Sequence, residues 1–211
     1  MKYLLLVDFK SVKKLLIIYY TIILLVTVVI YPIAGWIGIL FIIKIERDIC
    51  KSNAIMELPK LYKNFPDKNL YPDEKNLLFY LVISGAFILW GISCFFIKIE
   101  DFALLSDKLR LILGLSMFGM SICNVYHISW LHFFFKYGDT QKCRQIISKF
   151  YIILAFSVVF LTKNDYVYKK LGRIFEFSCQ TCIILTAINI ILTLFSYIIA
   201  RKSYEKSEVF K

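Results

Sequence analysis

Apolar residues run along this chain in long blocks separated by short polar stretches, and not in an alternating or 3.6-residue stripe. About 20 successive apolar residues cross a bilayer as a helix. Four blocks pass that length: 15–43, 77–97, 109–135 and 174–200. A fifth, 150–162, becomes a span over 146–162 once Lys149 snorkels to the interface. The pattern predicts an all-α polytopic transmembrane helical bundle of five spans, forming a single integral membrane domain over 1–211. Pro32, Gly35 and Gly38 place a kink late in the first block. A sixth span arises if a turn near "YHISWLH" splits the third block. The charges Lys136, Asp139, Lys142 and Arg144 make that extra segment a poor one for facing lipid, which favours five.

The one sizeable polar connection, 44–76, is punctuated by Pro59, Pro66 and Pro72, with acids and bases nearly balanced. It reads as a solvated loop with a short helical turn. Counts of Lys and Arg on the two sides of a five-span chain differ too little to orient it.

Composition agrees with the blocks: 59% of residues are hydrophobic and 17% aromatic, and the mean hydropathy is +0.69. No polar stretch is long enough to bury a soluble core of its own. The net charge of +11 sits in loops, tails and block edges. There it contacts lipid headgroups, so nucleic acid is not expected as a partner, and membrane lipids and other membrane proteins are. Six scattered cysteines do not form a secreted disulfide framework.

Candidate chemistry is sparse. Glu176 lies two residues inside the last block. It reads either as an interfacial acid at a helix start, where the dipole favours negative charge, or as a buried partner for Arg173, Asn124 or His127. Cys179 and Cys182 share a helix face at i and i+3. A zinc site would need two further ligands, for which His127 and His132 are the candidates. A dithiol exchange site is the other active option, and "CQTCIILTAIN" has some likeness to the final span of vitamin K epoxide reductases. The passive option is helix packing, as for Gly114 and Gly119. Asn124, His127 and His132 crowd one end of the third block as interhelical hydrogen-bonding groups. With no phosphate loop, His-Glu-x-x-His or serine elbow, the chain reads as a non-enzyme without metal or cofactor.

Two stretches resemble the DRAM family, the damage-regulated autophagy modulators and their GPI-remodelling relatives. "LRLILGLSMFGMSICNVY" (109–126) is similar to the family's third span, with Gly114, Gly119 and Asn124 in matching positions. "NDYVYKKLGRIFEFS" (164–178) is similar to its last lumenal loop and final span, through Asp165, Tyr166, Tyr168, Glu176 and Phe177. The resemblance covers 33 of the 211 residues. It implies a multi-span protein of endomembranes, lysosome or plasma membrane, acting in autophagy or membrane-lipid processes without catalysis. It also implies that the 44–76 and 163–173 loops lie on one face of the membrane. Two other readings stand beside it: a bacterial or plasmid-borne inner-membrane immunity or entry-exclusion protein, and a membrane thiol oxidoreductase.

Overall fold

A computed structural model describes residues 2–29, 69–96, 105–138, 145, 148–149 and 179–208. Those residues form four long helices and no strand: α1 (Lys2–Val29), α2 (Leu70–Phe96), α3 (Leu105–Tyr137) and α4 (Cys179–Glu205). Three helices hold stretches long and apolar enough to cross a membrane, Leu70–Cys94, Ile112–Tyr137 and Gln180–Glu205. Each stretch is about 38 Å long at 1.5 Å per residue, against roughly 30 Å of hydrocarbon. α1 is different: Asp8, Lys10, Lys13 and Lys14 occupy its first half, and its apolar run is 15–29.

Local chemistry explains where the helices start and stop. Pro72 falls in the first turn of α2, where its missing N–H is not needed. Asp73 beside it complements the positive end of the helix dipole. α3 closes on Gly138, whose φ of 64° is the left-handed conformation that glycine adopts without strain. The Gly138 N–H donates to the Phe134 carbonyl at 2.8 Å and completes the cap.

These elements differ from the sequence expectation in three places. α2 starts at Leu70, so residues 70–76 are helical although the pattern assigns them to the solvated connection. α3 is unbroken through "YHISWLH", so the turn that would split the third block is not there. α1 starts well before the first apolar block. Residues 30–68, most of the 146–162 span and 174–178 lie outside the described residues.

Pairwise contacts fix the helix directions. Asp8 and Lys75 meet near the starts of α1 and α2, and Tyr20 meets Val82 farther along both. Those two helices run parallel. α2 and α3 are antiparallel, since Asn76 pairs with His127 while Gly91 faces Ile112. α3 and α4 are parallel, since Ser121 reaches Asn189 and His132 reaches Ser203. At one end of the bundle, the near end, α1 and α2 therefore begin and α3 and α4 finish. The core is thickest there, with Tyr71, Trp130, Phe134, Phe135 and Tyr204 fully buried.

Candidate functional site

Lipid tails are as apolar as leucine, so helices inside a bilayer are held by close packing and by interhelical hydrogen bonds. In this chain the polar groups form successive layers that lead to the near end. The innermost layer centres on Asn189 of α4. Its Oδ1 accepts from the Asn124 amide at 3.0 Å and from the Ser121 hydroxyl at 3.2 Å. Its Nδ2 donates to the Met117 carbonyl at 2.9 Å. One amide thus joins α4 to three residues of α3.

The next layer joins α2 to α3 and α4. His127 Nε2 lies 2.9 Å from Asn76 Oδ1. The imidazole stacks on Phe79 with the ring centroids 3.8 Å apart and the planes 4° from parallel. Tyr80 shares a 2.8 Å hydrogen bond with Ser196 of α4. The Asn76–His127 layer is sealed from solvent, since the two residues are fully buried.

The outermost layer is ionic. The Lys75 ammonium contacts the Asp8 carboxylate of α1 and sits 3.0 Å from Glu74 Oε2. It also lies 5.0 Å above the Tyr71 ring, a favourable cation–π geometry. Tyr71 in turn stacks on Tyr204 at 5.7 Å. Lys75 and Glu74 are both 0% exposed, and a buried lysine is tolerated only when it is paired. Toward solvent, Arg201 of α4 grips Asp73 with two hydrogen bonds of 2.7 and 2.6 Å.

Of the residues singled out from sequence, Asn124 and His127 are buried and hydrogen-bonded between helices, but to Asn189 and Asn76 and not to each other. Gly114 and Gly119 are buried on α3. Cys182 is a half-buried free thiol, and Cys179 opens α4. Glu176 and Arg173 lie outside the described residues. The zinc set fails on distance: His132 pairs with Ser203, 21 residues beyond Cys182, or about 31 Å along α4. No metal-holding group of three or more His, Cys, Asp or Glu occurs among the described residues.

Asp8, Asp73, Glu74, Lys75, Asn76 and Asn189 escaped the sequence reading. A signal for the first turn was present in "YPDEKN", where a proline and two acids precede an apolar block. Asn189 is the one amide within the apolar "TAINIILTL".

The chain matches no protein-family model, no curated protein and no solved structure.

Proposed function

We propose that this chain is a non-enzymatic multi-pass membrane protein that acts through the lipids and partner proteins it meets sideways in the bilayer. The observation that carries this reading is the surface of α4. One stripe, Asn189, Ser196, Ala200 and Tyr204, is buried against the bundle. The rest is large and apolar and faces outward: Ile183, Ile184, Ile191, Leu194, Phe195 and Ile198 are each more than half exposed. The polar groups meanwhile are spent on joining helices to one another, which supports an organising role over a catalytic one.

The reading includes six crossings. Val29 and Asn69 lie at opposite ends of the parallel α1–α2 pair, and Gly138 and Cys179 at opposite ends of α3–α4. In this reading each connection, 30–68 and 139–178, returns the chain along the bundle. Each contains an apolar run, 30–43 and 150–162. On this reading the number of crossings is even, with both termini on one side.

The autophagy and lysosomal part of the expectation rests on the DRAM resemblance alone. That resemblance implies one face for the 44–76 and 163–173 loops. Yet α2 and α4 are antiparallel, because Tyr71 meets Tyr204 and Tyr80 meets Ser196. Their first residues lie at opposite ends, about 40 Å apart along a helix of this length.

Photoreactive residues placed along α4 test the proposal in membranes. Positions 184, 191, 195 and 198 should capture lipid or a second protein, whereas 189 and 200 should cross-link only to α3 or α2. Silence at all four outward positions would dismiss lateral contact as the working surface.

A further inference from the structure

Glu74 is the one charged side chain of the near-end cluster whose environment does not suit its charge. It is fully buried. Neither of its carboxyl oxygens accepts a hydrogen bond among the described residues. Its single close cation, Lys75, hydrogen-bonds Asp8 of the neighbouring helix and lies 3.0 Å from Glu74 Oε2, so one ammonium is shared between two carboxyls. A buried carboxylate is stable when several donors surround it, and strongly disfavoured when they do not. A second carboxylate in the same cluster disfavours it further.

We propose that the Asp8–Lys75–Glu74 cluster is a proton-binding site, with the proton held on the Glu74 carboxyl. The proton leaves Asp8 and Lys75 as the matched ion pair that fastens α1 to α2. Its loss places a second negative charge beside Asp8 and loosens the first turns of α1. Among the described residues, titratable groups face the site from all four helices. Asp8 faces it from α1, and Lys75 shares its helix. On α3 the titratable group of this layer is His127, engaged with Asn76. On α4, Arg201 is engaged with Asp73, and Tyr204 is stacked on Tyr71. Neither His127, Arg201 nor Tyr204 supplies Glu74 with a hydrogen bond.

The test is the pH dependence of unfolding of the full chain in detergent micelles, for the wild type and Glu74→Gln. In the unfolded chain a glutamate releases its proton near about pH 4.3. If the folded chain retains it, stability falls as pH rises above that value. Glutamine is neutral at every pH and cannot contribute this slope. The expected result is that wild type loses stability relative to Glu74→Gln steadily between about pH 5 and pH 7. A constant difference between the two across that window overturns the site. Infrared spectra give a second reading that needs no unfolding: wild type at neutral pH shows a protonated-carboxyl band that shifts in Glu74→Asp. Absence of the band, or a band indifferent to Glu74→Asp and Glu74→Gln alike, also overturns it.

Discussion

Asn189 shows how much a single side chain organises in this bundle. Its amide serves Ser121, Asn124 and the Met117 carbonyl together. Interhelical hydrogen bonds in membranes contribute about 0.6 kcal/mol each on average, so Asn189→Leu should destabilise the folded bundle by about 1–2 kcal/mol. Unfolding in mixed micelles reads this, with exposed Thr186→Leu as the control. A still larger contrast separates the two lysine- and arginine-bearing pairs. Lys75→Ala leaves buried carboxyls without their cation and should cost about 3–5 kcal/mol. Arg201→Ala removes a partner that is 46% exposed and should cost about 0–1 kcal/mol. Equal losses would show that the near-end cluster is open to water. Asn124 and His127 stood out in the sequence as polar groups within an apolar block. Their partners did not, because Asn189 is 65 residues from Asn124 and Asn76 is 51 from His127. Periodicity carries no information about such pairings. Lys75 and Glu74 read as solvated for a related reason: adjacent charges beside a proline resemble a loop unless a neighbouring helix is known to cover them.

At the scale of the helix, the α1–α2 pair depends on one close approach. A Cβ built on Gly85 would lie 2.8 Å from the Tyr20 hydroxyl. That hydroxyl is not free to swing away, because it donates to the Val82 carbonyl at 2.8 Å. Gly85→Ala should therefore push α1 outward and destabilise by about 1–3 kcal/mol. In a Tyr20→Phe background the obstructing atom is gone, and the same substitution should cost clearly less. A double-mutant cycle measures that coupling directly. If both backgrounds respond equally, Gly85 faces lipid and not α1. Long helices were legible from apolar blocks, and the third block matches α3 to within a few residues at each end. Their polar ends were not. α2 begins seven residues inside the stretch assigned to the connection, since hydropathy locates the bilayer and not the helix. α1 likewise extends through Asp8, Lys10, Lys13 and Lys14, because a helix crosses the interface without changing its backbone bonds.

For the molecule as a whole, the proposed even count makes the orientation testable. With five crossings the basic residues divide too evenly to orient the chain. With the near end defined, the described part of α1 brings Lys2, Lys10, Lys13 and Lys14 to it, and α4 brings Arg201 and Lys202. The far end has Lys108 and Arg110 at the start of α3. Lys and Arg close to span ends collect on the cytosolic side, which predicts a cytosolic near end. The same prediction puts the buried ionic cluster at the cytosolic edge of the bilayer. Single cysteines in an otherwise cysteine-free chain test this in sealed, right-side-out vesicles. A membrane-impermeant thiol reagent should label position 100, in the short connection between α2 and α3, and leave positions 3 and 208 unlabelled until the vesicles are opened. Labelling of 3 and 208 together, with 100 protected, would invert the orientation but keep the even count. Labelling of one terminus alone would make the count odd. An odd count is incompatible with parallel α1–α2 and α3–α4 pairs that all traverse the membrane, and either α1 or one of the two long connections would then have to stop short of the far side.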